Sequence, residues 1–132
     1  MNRTRLSALV VLLLLTVLSE PLLAAMARNI DAAGARRLIA ERPDLFILDV
    51  RTPEEFAGVR LEGAVLIPID QVVKRIAEIP RNRPVLVYCA VGSRSSQVAG
   101  YLARLGYSEV YNLYGGIWGW RLRGYPVLKG LP

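Results

Sequence analysis

The sequence predicts a three-layer α/β domain: a central, mainly parallel sheet flanked by helices. Three observations predict it. Short apolar runs recur at 45–50, 63–68, 85–88 and 109–113, the pattern of strands buried on both faces. Segments with apolar residues at helical spacing lie between them, bounded by capping residues and glycines. The two kinds of segment alternate, which is the order of a parallel sheet covered on both sides.

Taken in order, Asp31 is a good N-cap for an amphipathic helix over 32–41, with Ala35, Leu38 and Ile39 on one face. Arg42-Pro43-Asp44 stops it, and 45–50 follows as the first buried strand. Thr52, Pro53 and Glu55 spell a capping box with proline at the first helical position, and Gly58 ends that short helix. Residues 63–68 read as a second buried strand. A helix is expected over 69–79, capped by Asp70, with Val72, Val73, Ile76 and Ile79 at helical spacing. The loop 80–84 leads to a third strand, 85–88, which runs into Cys89. A helix over 95–105 carries Val98, Ala99, Leu102 and Leu105 inward and stops at Gly106. Residues 109–113 form a fourth strand, Gly115-Gly116 a tight turn, and 117–123 a last short helix.

At 132 residues the chain fits one domain. Its N-terminus has its own pattern: Arg3 and Arg5, then an apolar stretch over 6–18, then Ala25-Met26-Ala27 before Arg28. Basic, apolar, small is the order of a secretory signal peptide. The reading is a signal peptide over 1–27, cleaved after Ala27, and a domain over 28–132 located in the periplasm or secreted. The alternative is an uncleaved anchor, in which case this segment is the chain's sole membrane contact. No cysteine follows the apolar stretch, so a lipid anchor there is excluded. The net charge of +6 is scattered over the chain with no basic arm, so no nucleic-acid partner is expected; the field mildly favours small anions. Nothing demands an oligomer, and a monomer is expected.

The chain has one cysteine and no histidine. That excludes an internal disulfide, the ordinary zinc sites, and Cys-His or Ser-His-Asp catalysis. No metal and no cofactor is expected. Cys89 stands at the carboxyl end of a strand, where ligands of parallel sheets bind. Gly92 and Arg94 follow it, and a helix start comes next. Helix N-terminal N–H groups, a loop nest of N–H groups and the Arg94 guanidinium would together favour the thiolate and hold an anion. A small buried hydrophobe at a strand end is the plain alternative for Cys89.

Cys89-Ala90-Val91-Gly92-Ser93-Arg94-Ser95 resembles the Cys-x-x-Gly-x-Arg-Ser active-site loop of single-domain rhodaneses. Residues 48–56, LDVRTPEEF, resemble that family's N-terminal signature, and Gly63-Ala64-Val65-Leu66-Ile67-Pro68 its G-A-x-x-I-P strand. Leu113-Tyr114-Gly115-Gly116-Ile117 with Trp120, then Gly124-Tyr125-Pro126-Val127, resemble its C-terminal end. The resemblance runs from Asn29 to Lys129. An exported single domain of this kind is similar to the periplasmic phage-shock rhodanese of enteric bacteria.

The resemblance implies a rhodanese-like fold and sulfur transfer of the thiosulfate sulfurtransferase type. Cys89 would take sulfane sulfur from a small anionic donor such as thiosulfate as a persulfide, and pass it to a thiophilic acceptor, cyanide or a thiol. Ala90, Val91, Gly92, Ser93 and Arg94 would cradle the sulfur and the leaving sulfite. Arg51 would either face the pocket or pair with a carboxylate such as Glu55; Asp49 would tie strand to loop; Trp118 and Trp120 would be core or pocket wall. One departure concerns Ala90. Many rhodaneses active on thiosulfate carry a basic residue directly after the cysteine, so Ala90 counts against thiosulfate as the physiological donor.

Two other functions are compatible with such a loop. A phosphatase or arsenate reductase of the same fold has five residues between cysteine and arginine; this chain has four, a loop better sized for sulfur than for tetrahedral phosphate. A non-turnover sulfur carrier would keep Cys89 and load it once.

Overall fold

A computed structural model describes residues 26–132 of the chain. The signal-peptide reading falls almost wholly outside these residues. Strand β1 (Arg28–Ile30) leads to helix α1 (Ala32–Glu41), β2 (Phe46–Asp49), α2 (Pro53–Gly58) and β3 (Val65–Leu66). Two 3-10 turns follow, Ile69–Gln71 and Ile76–Glu78. Then come β4 (Val85–Tyr88), α3 (Ser93–Arg104), β5 (Val110–Leu113) and α4 (Gly116–Leu122). The five strands form one sheet in the order β1-β5-β4-β2-β3, and every paired neighbour is parallel. This is the expected α/β architecture.

Strand alternation divides the core into two layers. Leu48, Val50, Val85, Val87 and Cys89 face one side, against Val98, Ala99 and Leu102 of α3 and Ile79 and Tyr107. Ile47, Leu86, Tyr88 and Leu113 face the other, against Ala32 and Ala35 of α1 and Ile117 and Trp120 of α4. Each fully buried leucine contributes on the order of 1.5–3 kcal/mol by leaving water.

The helix starts follow from their caps. Asp31 accepts from the Gly34 N–H at 2.8 Å and opens α1. Thr52 and Glu55 exchange bonds, 3.2 Å from the Glu55 N–H to the Thr52 hydroxyl and 3.3 Å from the Thr52 N–H back to the Glu55 carboxylate, completing the expected box.

Four expectations need correction. The helix expected over 69–79 is two short 3-10 turns. Its bonds run mostly three residues back, as from Val72 N to Ile69 O and from Ile79 N to Ile76 O. The segment is rich in β-branched residues, which lose side-chain freedom in a helix. The Tyr107 hydroxyl also donates to the Ile79 carbonyl at 2.9 Å, a tie supplied from across the fold. The second strand shrinks to Val65–Leu66 at the sheet edge, with Val65 exposed, because only β2 flanks it. Helix α3 begins at Ser93, two residues early, since Gly92 at φ 104° turns the chain straight into it. A fifth strand, β1, pairs with β5 from Arg28, a three-residue piece too short to announce itself by pattern.

The connections decide where a site forms. From β2 the chain goes outward to β3, while from β4 it goes the other way to β5. The connections therefore diverge above the carboxyl ends of β2 and β4, the switch point at which parallel sheets bind ligands. Asp49, Val50 and Arg51 leave β2 there, and Cys89 leaves β4.

Candidate active site

Cys89 continues β4 by one residue, in a position set by the strand's bonds to both neighbours. Its side chain is fully buried and points into the layer of α3. The next residues wrap round the sulfur. The Gly92 N–H donates to Cys89 Sγ at 3.1 Å and the Ser95 hydroxyl donates at 3.4 Å. Burial pushes the thiol's pKa up, but the hydroxyl and backbone N–H of Ser95 and the N–H groups of Gly92 and Val91 outweigh it, so the thiol sits below its ordinary value. No histidine takes part: the lowering comes from the loop N–H groups of Val91 and Gly92 and from Ser95 in the first turn of a twelve-residue helix.

The loop is clamped from below by α4. The Ile117 N–H donates to the Cys89 carbonyl at 3.0 Å and the Trp118 N–H to the Ala90 carbonyl at 3.1 Å. This needs Gly116. It has φ +60°, and a Cβ there would lie 2.2 Å from the Ala90 oxygen and 2.6 Å from the Val91 nitrogen. Only glycine lets α4 approach the loop so closely.

Among the expected site residues, Cys89, Ala90, Val91, Gly92 and Ser93 form one continuous loop leading into α3. Gly92 is buried, Ala90 half-buried, Val91 and Ser93 exposed. Arg94 lies in the first turn of α3, and its fork is occupied: Nη1 to Glu55 Oε1 at 2.8 Å and Nη2 to Glu55 Oε2 at 2.9 Å. Glu55, on α2, is drawn down to about 2, chiefly by this pair and against the cost of burial. Arg94 is raised above its ordinary value by the same bonds, with a smaller contribution from the Cys89 sulfur.

Arg51 does not face the pocket; it pairs with a carboxylate, as the second expectation had it, but with Asp49 and not Glu55. It is buried, and its Nε and Nη2 bond Asp49, the shortest contact being 2.7 Å, while Nη2 also donates to the Val59 carbonyl at 2.6 Å. Its guanidinium lies over the Tyr88 ring. Burial opposes the charge, yet the Asp49 bonds hold Arg51 above its ordinary pKa. It belongs to the strut beneath the site, and Glu55 is Arg94's partner instead. Asp49 ties strand to loop as expected, accepting the Arg51 N–H at 2.9 Å.

Ser95 was legible as a helix start and as the last residue of the loop motif, with no role of its own; its hydroxyl donates to the sulfur. Trp120 is core, its indole donating to the Pro126 carbonyl at 2.9 Å. Trp118, bonded through its backbone N–H to the loop, is exposed, as are Val91 of the loop and Tyr114, whose backbone lies against Gly92. Among the described residues no cluster of His, Cys, Asp and Glu side chains gathers to hold a metal, and no helix is long and apolar enough to cross a membrane.

Comparison with known proteins agrees with this geometry. The rhodanese-like domain family matches residues 31–123. A sulfurtransferase of Allochromatium vinosum is 37% identical over 103 residues, covering 78% of this chain and 96% of that protein. The thiosulfate sulfurtransferase GlpE of Tolumonas auensis is 35% identical over 83 residues, covering 63% and 78%. Among solved structures, a rhodanese-related protein of Thermoplasma volcanium superposes with a TM-score of 0.70 at 33% identity, over 76% of this chain and 97% of that one. With a parallel sheet, a cysteine-headed loop at its switch point and matches of this extent, the chain belongs to the rhodanese-like domain family.

Proposed function

We propose that the protein is a sulfurtransferase that carries sulfane sulfur as a persulfide on Cys89. The observation that carries this is the pair of donors on Cys89 Sγ, the Gly92 N–H and the Ser95 hydroxyl, at the mouth of a helix N-terminus. They favour the thiolate and remain in place to stabilise a persulfide anion.

In the first half-reaction the thiolate attacks the outer sulfur of thiosulfate. A Cys–S bond forms, the donor S–S bond breaks, and sulfite leaves with the electron pair. In the second, cyanide or a thiolate attacks the outer sulfur, and Cys89 recovers its electron pair as thiolate. The loop from Ala90 to Arg94 faces the leaving anion with backbone N–H groups. Ala90 adds no charge, and Arg94 is engaged by Glu55, so anion binding rests mainly on the backbone. The exposed Val91, Tyr114 and Trp118 at the loop suit a thiol carried on a larger molecule better than cyanide. We further read residues 1–27 as an export signal. Cleavage after Ala27 would leave β1 whole from Arg28, and a persulfide cycle gives the unpaired thiol a use in an oxidising compartment.

Intact mass after thiosulfate treatment tests the function. The expected result is the gain of one sulfur, removed by cyanide, and absent in Cys89→Ser. No gain, or a gain that persists in Cys89→Ser, overturns it. Repeated turnover with cyanide separates an enzyme from a carrier that loads once.

A further inference from the structure

A buried polar side chain outside the loop reaches into it. Asn112 sits on β5 with β4 on one side and β1 on the other, in register with Val87 and Asn29. It is 3% exposed. A strand paired on both sides normally carries an apolar residue at such a position. Here the side-chain amide Nδ2 donates to Asn29 Oδ1 at 2.9 Å, with a second, longer contact of 3.5 Å to the Gly92 carbonyl. Asn112 Oδ1 is buried with no partner. Burying an amide there carries a desolvation cost that valine would not incur. A local rule broken at such cost, one contact from the site, marks a residue with work to do there.

That work follows from what Gly92 does. Its N–H is the nearer of the two donors to Cys89 Sγ. Its φ of 104° is open to glycine and strained for other residues, so its own backbone does little to hold the plane in which that N–H points. Two contacts hold its carbonyl, the Ser96 N–H at 3.0 Å and the longer one from the Asn112 amide; they fix the Gly92–Ser93 peptide, from which the N–H is set by rotation at the glycine Cα.

We propose that Asn112 is a positioning residue, which orients Gly92 toward the Cys89 sulfur and, through Asn29, couples that loop to the edge strand β1. The proposal rests on Cys89 being the reactive thiol. Alkylation measures the thiolate whether or not sulfur is transferred, so the two readings fail separately.

The test is the pH profile of Cys89 alkylation by iodoacetamide in the purified protein, beside its thermal stability. Asn112→Val removes the orphaned oxygen, so stability should hold or rise. The alkylation rate near neutral pH should nevertheless fall by about five-fold, the scale of one hydrogen bond, and the midpoint of the profile should move upward. A residue that only packs would give the opposite: unchanged alkylation with altered stability. Asn29→Ala, on the exposed edge strand, should shift the profile in the same direction by less, and the double variant should show less than the sum. Should Asn112→Val fail to fold, Asn29→Ala decides alone: a shifted profile supports the proposal, and a wild-type profile overturns it. Wild-type profiles in both variants also overturn it.

Discussion

Glu55 Oε1 accepts from two donors that belong to different parts of the chain. One is the Thr52 N–H at 3.3 Å, which caps α2; the other is Arg94 Nη1 at 2.8 Å, in the first turn of α3. One carboxylate therefore finishes a helix cap and fixes the arginine of the active-site loop. The second Arg94 bond, 2.9 Å to Oε2, makes the pair a planar fork. Both side chains are about a third exposed, at 32% each, so solvent screens the pair and its contribution stays near the surface range of up to about 1 kcal/mol.

The pair sets an acid dependence. Glu55 is depressed in the folded state to about 2 from an ordinary 4.5. Its stabilisation is therefore fully present above about pH 4.5 and is lost as pH falls through about 2. Glu55→Gln should lower stability by about 1 kcal/mol at neutral pH and flatten the acid limb of a plot of stability against pH. An acid limb as steep as that of the native protein would show that other carboxylates govern it.

Ser95→Ala tests the hydroxyl on the sulfur. Removing a donor to the thiolate raises the thiol's pKa. The midpoint of persulfide formation against pH should move upward, with the rate near neutral pH falling by up to about ten-fold. The plateau at high pH should change little, because the thiolate still forms there. A midpoint that stays put would assign the activation to backbone N–H groups alone.

Two glycines on α4 should behave in opposite ways. Gly116→Ala puts a Cβ 2.2 Å from the Ala90 oxygen at a positive φ, so backbone must move. It should lower both stability and sulfur transfer sharply. Gly119 has nothing within 4 Å of its would-be Cβ and lies inside the helix. Gly119→Ala should therefore raise stability by about 0.5–1 kcal/mol with activity intact. Urea unfolding and a cyanide assay on both variants check this; equal effects would refute the clamp between α4 and the loop.

Asp49→Ala should be the costliest change outside the loop. It strands a 3%-exposed Arg51 charge against a fully buried carboxylate's vacated place. Breaking one side of such a pair costs about 3–5 kcal/mol, a large share of a small domain's total. A loss under about 1 kcal/mol would mean that water reaches Arg51.

The local elements were legible because their signals are local. Asp31 caps α1 and Thr52-Pro53-Glu55 caps α2 with no help from distant residues. The place of Cys89 was also legible, since an apolar strand ending in a cysteine followed by Gly92 and a helix start implies a sulfur under helix N–H groups. The 69–79 segment was not. Its apolar spacing of three and four fits a helix and a pair of 3-10 turns alike, and a hydroxyl from Tyr107 takes part in the outcome.

Within the site the division follows the same physics. By itself the sequence determined the neighbourhood of Cys89: the lack of histidine, the left-handed glycine, the four residues to Arg94. It also determined that the strands are parallel, because apolar runs alternate with helices. Only the tertiary structure decided the partners. Two arginines and two carboxylates near the site allow more than one pairing, and distance in sequence does not choose between them. Packing sent Arg51 inward to Asp49 and Arg94 across to Glu55, thirty-nine residues away. Asn112 reads as an ordinary polar residue in a strand until the sheet order places β1 on one side of it and the sulfur's loop on the other. Charge pairing and buried polar contacts depend on which chain segments meet, and that is settled by the fold as a whole.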